Sequence, residues 1–373
     1  MERRDPATSA RRGLFSTDHG DIETPVFIPI GTYGAVKTLA PRDLESAGAS
    51  IVLGNAYHLY LRPGMEIIQK AAGLHAFMAW DRSIVTDSGG FQVFSLAELR
   101  EISADGVTFK STLNGSVHEM TPEKSMEIQR VLGSDIIMSL DVCPPGDAPL
   151  EEIARAVSLT TTWANRCFDY LKQTSESYGK RDTFFPIVQG GIQKELRQQS
   201  TEELLPLANI GVAVGGLAVG EEKSAMFDTV SLMDHLLPRD KIRYLMGVGK
   251  PQDIVRAVRL GMDMFDCVIP TRNARNGQLF TWNGTINVLN EKYKLDFSPV
   301  DETCACHGCR TFSRAYLRHL YNLNEILGLH LGSLHNVTFY LDLMSRIRKE
   351  IQEGTYLSWS RQFLAKVRET THD

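Results

Sequence analysis

Between positions 26 and 269 short runs rich in Val, Ile and Phe recur eight times, each long enough for one buried strand and most of them closing on a glycine or polar residue. The runs cover residues 26–32, 50–55, 83–87, 136–141, 184–189, 211–216, 243–247 and 264–269. Helix-like stretches lie between most of them, at 122–132, 151–172, 194–207, 221–237 and 251–260, the first of these announced by Thr121-Pro122. Eight alternating units predict a closed (β/α)8 barrel, an α/β fold whose functional groups gather at the C-terminal ends of the strands. Asp87, Asp141, Gln189, Gly216 and Asp266 fall at those ends. A doubly wound sheet is the alternative, but no glycine fingerprint of a dinucleotide turn follows the first strand.

Three stretches interrupt the alternation. Residues 101–120 hold Asp105-Gly106 and Asn114-Gly115, and residues 278–288 hold Asn283-Gly284, which predicts inserted β-hairpins, the first over the barrel mouth. The region after 304 reads as a cysteine cluster followed by helices, including 337–351. The expected division is a barrel core at 1–275, a metal-binding subdomain with helices at 276–350 and a C-terminal helix packed on the barrel at 351–373.

No apolar run in the 373 residues approaches the roughly 18 needed to span a membrane, and residues 1–5 lack a secretory pattern, so a cytoplasmic protein is expected. A net charge of −5 argues against indiscriminate coating of nucleic acid. Locally, however, residues 267–290 and 303–324 contain no acid. Arg310, Arg314 and Arg318 in the second window would line one helix face and suit a phosphate backbone; a solvated helix face is the alternative.

Cys304, Cys306 and Cys309 lie within six positions while the other three cysteines are scattered, which favours a metal over a disulfide in a cytoplasmic chain. His335 is the expected fourth ligand of a structural zinc, with His307, His319 and His330 as competitors. A filled Cys3His shell leaves no open position for a substrate, so this zinc would serve stability.

Asp266 sits inside an apolar run with Arg272 and Arg275 just beyond, so it is either a functional carboxylate or half of a salt bridge. Asp87 leads into Ser88-Gly89-Gly90-Phe91, where glycines allow close backbone approach. Two carboxylates across a barrel mouth suit nucleophilic and general acid/base work at an anomeric carbon. Asp141 could accept from the N1–H and amine of a guanine-like ring while Gln189 and the Gly216 amide donate to its carbonyl; a salt bridge or turn cap is the bland alternative.

These residues resemble the tRNA-guanine transglycosylases over nearly the whole chain. The matching motifs are Gly31-Thr32 with Val36-Lys37, Tyr57-His58-Leu59 with Arg62-Pro63-Gly64, residues 87–92, Gln189-Gly190-Gly191, residues 215–221, 264–268 and 271–275, and the cysteine-histidine set. The resemblance implies a barrel with a zinc subdomain, acting as a homodimer that exchanges the wobble guanine of GUN-anticodon tRNAs for a 7-deazaguanine in queuosine biosynthesis. Asp266 would be the nucleophile that forms a covalent aspartyl-ribose intermediate, and Asp87 the proton acceptor and donor. Ser88, Gly89 and Gly90 would line the base pocket, Asp141, Gln189 and Gly216 would read the base edge, and Phe91 and Met246 would sandwich the ring. Thr271, Arg272, Asn273, Ala274 and Arg275 would meet the anticodon loop, as would Gly247, Val248, Gly249, Lys250, Pro251, Gln252 and Asp253. Phe91 replaces a tyrosine found in some members, and Ala56 a frequent threonine. Cys143 and Leu217-Ala218-Val219-Gly220 resemble the bacterial branch, which takes the 7-aminomethyl form rather than queuine. A catalytically silent partner subunit would have lost Asp87 or Asp266, and a glycoside hydrolase would need neither the basic windows nor the zinc.

Overall fold

In the computed structural model, which describes residues 2–90, 100–111 and 113–369, the eight runs close into a parallel barrel. Val26–Ile28 pairs with the eighth strand, Met264–Asp266, and its continuation Ile30–Gly31 pairs with the second, Ile51–Asn55. The third and fourth strands are Ser83–Asp87 and Ile136–Met138. The fifth is again in two pieces, Thr183–Phe185 against the fourth and Ile187–Val188 against the sixth, Gly211–Val214. The seventh, Ile242–Leu245, completes the circle between the sixth and the eighth. Both split strands contain a proline, Pro29 or Pro186, which has no N–H for the ladder. Their carbonyls still accept, from Leu53 and Ala213 at 2.9 Å each, so the strands bend without opening the barrel. The first, fourth, sixth, seventh and eighth strands end before their apolar runs do, because the last residues of those runs leave the ladder to form the mouth.

Alternation sets what fills the barrel. One buried cluster contains Val26, Ile28, Ile51, Leu53, Val85, Ile136, Met138, Phe185, Ile187, Ala213, Tyr244 and Met264, which share one parity along each strand. Gly211 lies on that parity too, and a Cβ there would stand 2.2 Å from the Phe185 ring, so the small residue makes room for the large one. Continuing two residues from Leu53, Val85, Ile187, Tyr244 and Met264 gives Asn55, Asp87, Gln189, Met246 and Asp266. The polar mouth is therefore the next layer of the same period.

The opposite end is closed by an antiparallel hairpin, Arg11–Thr17 with Gly20–Thr24, that sequence reading did not find; its Phe15 and Ile22 join the interior cluster. Four short helices, Pro41–Ser46, Ala56–Leu61, Met65–Lys70 and Leu74–Met78, were also missed, each too short to show helical periodicity. The insertion is a three-stranded antiparallel sheet, Arg100–Ile102, Val107–Lys110 and Val117–Met120, whose Phe109 packs on Tyr57. Gln278–Thr281 and Gly284–Asn287 form the expected hairpin.

Two expectations for the C-terminal region are revised. The helix expected at 337–351 is present but runs Ile326–Glu353, so it begins well before 337 and has His335 inside it. The arginines do not form one stripe: Arg310 belongs to His307–Thr311, and Arg314–Asn322 is a separate helix capped by Ser313. Arg314 bonds Asp296 at 2.9 Å and the Val300 carbonyl at 3.0 Å, while Arg318 bonds Glu291. Acids outside the acid-free window occupy these two cations, which pin the segment before the cysteines.

Asp263 anchors the closed end. Buried among charged neighbours, it accepts from Arg11 Nε at 2.9 Å and from the Arg243 amide at 2.8 Å. Asp263→Ala would leave Arg11 buried and unpaired, a loss of about 3–5 kcal/mol to be read from urea unfolding.

Candidate active site and metal centre

Asp266 closes the eighth strand, is 8 % exposed, and makes no salt bridge to Arg272 or Arg275; it accepts from the Tyr244 hydroxyl at 2.7 Å and the Gly247 amide at 2.9 Å. Burial pushes its carboxyl above the ordinary range, against the pull of those two donors. Asp87 closes the third strand and accepts from Asn55 Nδ2 at 2.5 Å and the Ala56 amide at 2.9 Å. Burial raises Asp87 to about 7, the amide bonds oppose the rise, and the charge of Asp266 adds to it. Among the described residues no Lys or Arg lies within salt-bridge distance of Asp87, Asp141 or Asp266. Carboxylates buried in this way are held for chemistry or ligand binding rather than for stability.

Asp141 lies beyond its strand, close enough for its charge to add to the rise at Asp87. It accepts from Gln189 Nε2 at 2.7 Å and Ser88 Oγ at 3.3 Å, and burial raises it to about 6 despite these bonds. Gly90 must be glycine, because a Cβ would stand 2.6 Å from the Asp141 carbonyl oxygen. Gly89, with φ +80, passes over Tyr57, where a Cβ would stand 3.1 Å from the tyrosine Cβ. Gly216, with φ +64, lies against Gln189 Oε1, a buried acceptor left without a hydrogen bond. Met246 is half-buried at the end of the seventh strand. Phe91 lies outside the described residues. A cleft lined by Glu101, Ile102, Val142, Cys143, Ala218 and Val219 opens beside these groups.

The two segments expected at RNA sort by exposure. Gly247, Lys250 and Arg272 are exposed and Gln252, Asn273 and Arg275 half-buried, whereas Val248, Gly249, Pro251, Asp253, Thr271 and Ala274 are buried. The buried ones are scaffold: Asp253 holds Lys223 at 2.8 Å, and the Gly249 carbonyl accepts from Tyr340 at 2.6 Å.

Cys304, Cys306, Cys309 and His335 come together, with every donor atom within 4.8 Å of the others. His335 Nδ1 is 3.8 Å from Cys306 Sγ and 3.2 Å from Cys309 Sγ. Donors about 2.0 and 2.3 Å from one tetrahedral ion stand roughly 3.5 Å apart, so the set fits a metal. His335 Nε2 lies 2.7 Å from the Phe280 carbonyl, which can only accept; the proton therefore sits on Nε2 and Nδ1 is bare toward the thiols. His307, His319 and His330 are not part of the cluster. The adjacent Asn336 accepts from the Phe280 amide at 3.0 Å and donates to the Pro270 carbonyl at 2.9 Å, which ties the metal centre to the helix that follows Asp266.

Sequence reading missed Tyr244, Asn55 and Arg197. Tyr244 and Asn55 share the inward parity, which was the available signal. Arg197 is wholly buried and donates to the carbonyls of Val188, Gly191 and Gly215 at 2.8–2.9 Å, fixing the Gln189 and Gly216 turns together. Its role had no signal in the chain, since its partners are backbone atoms.

Fold and site together define a (β/α)8-barrel protein with a carboxylate-lined mouth and a Cys3His centre. The chain belongs to the family described as queuine tRNA-ribosyltransferase, whose model matches residues 5–369. Curated proteins named queuine tRNA-ribosyltransferase are similar throughout. The one from Thermoanaerobacter pseudethanolicus is 50 % identical over 364 residues, 98 % of this chain and 96 % of its own. Those from Solidesulfovibrio magneticus and Neisseria meningitidis are 52 % and 48 % identical, covering 94 % and 95 % of this chain and 93 % and 94 % of their own.

Because folded Asp87 holds its proton to about 7 while an unfolded aspartate loses it near 3.8, the folded state binds more protons between those values. The group's contribution to stability is full below the unfolded pKa and is lost as pH rises through the folded one. Asp87→Ala should therefore gain on the wild type by up to about 1.4 kcal/mol per pH unit in this window, measured by urea unfolding at several pH values from 4.5 to 8.

Proposed function

We propose that the protein is a pentosyltransferase that exchanges the wobble guanine of GUN-anticodon tRNAs for 7-aminomethyl-7-deazaguanine, the step that starts queuosine formation in tRNA. The observation that carries this reading is the pair of buried, cation-free carboxylates in one layer, Asp87 and Asp266, close enough for one charge to disfavour the other. Ionised Asp266, oriented by Tyr244 and Gly247, attacks C1′ of the ribose. The C1′–N9 bond breaks, the electron pair goes to guanine, and Asp87 gives the leaving base its proton. The RNA stays esterified to Asp266 while guanine departs. The incoming deazaguanine returns a proton to Asp87 and its N9 attacks C1′, releasing Asp266, so the kinetics are ping-pong. A carboxyl near 7 suits both directions of proton transfer.

Asp141, Gln189 and the Gly216 amide would read the base edge; Gln189 Nε2 gives one N–H to Asp141 and has a second to offer a base carbonyl. Ser88, Gly89 and Gly90 would form its floor, and Phe91 and Met246 would hold the ring. A loop base can be extruded into such a pocket for a few kcal/mol. Lys250, Arg272 and Arg275 would meet the anticodon backbone, presented by the buried members of their segments. The Cys3His set would hold one structural zinc. A homodimer is supported by large apolar side chains left exposed around the zinc region, Leu295 at 78 %, Phe297 at 77 % and Ile326 at 75 %. Among the described residues no helix is long and apolar enough to cross a membrane, and a tRNA substrate places the work in the cytoplasm.

Wild-type protein should incorporate labelled guanine into a tRNA with a GUN anticodon and give an RNA adduct that survives a denaturing gel. Asp266→Asn should abolish both while still binding the tRNA; exchange persisting in this variant would refute the assignment. Chelation should remove one zinc per chain and lower the melting temperature, restored by one equivalent of Zn2+ in the wild type but not in Cys306→Ala.

A further inference from the structure

The mouth opens where the barrel ladder stops, and between the third and fourth strands it stops early. The register runs Ile136 with Val85 and Ile137 with Thr86 and ends there, one residue before Asp87 and four before Asp141. A side chain then takes over. Gln129 stands on the helix Pro122–Leu132 that connects these two strands and is wholly buried. Its Oε1 accepts from the Met138 amide at 2.8 Å and from Thr86 Oγ1 at 3.0 Å. Its Nε2 donates to the Met138 carbonyl at 2.9 Å and to Ser125 Oγ at 3.3 Å. A primary amide has four bonding positions, and here all four are used. They also fix which way it faces, since a flip would set the NH2 group against the Met138 N–H.

The network ends on the groups of the mouth. Ser125, one turn earlier on the same helix, donates its own hydrogen to the Ser88 carbonyl at 2.9 Å. Asp87 therefore stands between two residues held from the helix, Thr86 by Gln129 and Ser88 by Ser125. Ser88 Oγ in turn donates to Asp141 Oδ1 at 3.3 Å and accepts from the Gly90 amide at 3.2 Å. Met138, held at both polar backbone groups, is the last residue of the strand that leads to Asp141. We propose, on the base-exchange reading above, that Gln129 and Ser125 are positioning residues. They fix the carboxyl of Asp87 relative to that of Asp141, so that a base read by Asp141 lies in register with the proton of Asp87.

Stability alone does not call for this arrangement. Met126, Ile128 and Leu132 of the same helix already supply buried apolar contact. A fully satisfied polar network adds one defined geometry, which apolar contact specifies less exactly. Thr86 extends it: with its hydrogen given to Gln129, its oxygen accepts from Ser134 Oγ at 2.7 Å. Thr86 has the parity opposite to Asp87 and points to the helix, so Gln129 acts through other groups and does not meet the base. The leverage is large, because a misplacement of about 1 Å at reacting groups costs on the order of a hundredfold in rate.

The test measures labelled guanine incorporation into a GUN-anticodon tRNA by the full-length protein, with competent molecules counted by stoichiometric tRNA binding. Gln129→Met keeps the bulk and removes all four bonds, whereas Thr86→Val removes one hydroxyl and Thr86→Ser restores it. Per competent molecule, Gln129→Met is expected to lose about a hundredfold and Thr86→Val about tenfold in kcat/KM for guanine. KM for tRNA should stay within about twofold of wild type, and Thr86→Ser within about threefold on every constant. A purely structural role would lower the melting temperature and the number of competent molecules and leave their constants unchanged. That result would overturn the proposal, as would a KM for tRNA rising in step with that for guanine, or Thr86→Ser matching Thr86→Val. Should Gln129→Met not fold, Ser125→Ala, which cuts the link to Ser88, is read by the same constants and is expected to lose about tenfold. A wild type that exchanges no guanine would overturn the base-exchange reading and this inference together; wild-type exchange with unaltered variants would overturn this inference alone.

Discussion

Three carboxyl groups are held out of water at the barrel mouth with no cation beside them among the described residues, and much of the architecture serves to make that tolerable. Burial alone pushes all three toward their neutral forms. What opposes it is a set of directed donors: the Ala56 amide and Asn55 on Asp87, Tyr244 and the Gly247 amide on Asp266, Gln189 and Ser88 on Asp141. The donors come from the ends of four strands, the second, third, fifth and seventh, so movement of any of those turns would alter a protonation state. A salt bridge would have been a simpler way to bury these acids, but it would neutralise the groups that the proposed chemistry needs free.

The supporting layers follow from this. Arg197 spends its guanidinium on carbonyls rather than on a carboxylate, which locks the turns bearing Gln189 and Gly216 without quenching Asp141. Burial lowers Arg197 to about 10, so it remains a cation at neutral pH. Behind Asp266, the Cys3His centre reaches the active site through a short chain of bonds. His335 and Asn336 take both polar groups of Phe280, and Asn336 also holds Pro270 at the start of the helix Ile269–Arg275. Tyr321 and Tyr340 fix the Ala274 and Gly249 carbonyls. A metal held at the cysteines would thus act on the carboxylate-lined mouth through position.

Much of the barrel was legible because burial on a parallel strand writes an apolar run into the chain, and eight such runs leave few alternatives. The inward parity also extends to the mouth, so Asp87, Gln189 and Asp266 could be picked out two residues beyond buried apolar neighbours. The N-terminal hairpin was not legible: Arg11–Thr17 mixes arginine, serine and threonine with one buried phenylalanine, and it becomes a strand by closing the barrel end. The arginine windows misled for a related reason. Counting acids nearby in sequence says nothing about Asp296 and Glu291, which fold back onto Arg314 and Arg318.

By itself, then, the sequence determined the strand count, the identity of the mouth carboxylates and the three clustered cysteines, because each is encoded by period or spacing within a short window. The tertiary structure alone decided that Asp266 has a tyrosine and an amide for partners rather than an arginine. It also decided that His335 reaches the thiols from inside a long helix. Hydrogen bonds and coordination act over about 3 Å in space, and only chain closure sets which distant residues come within that range.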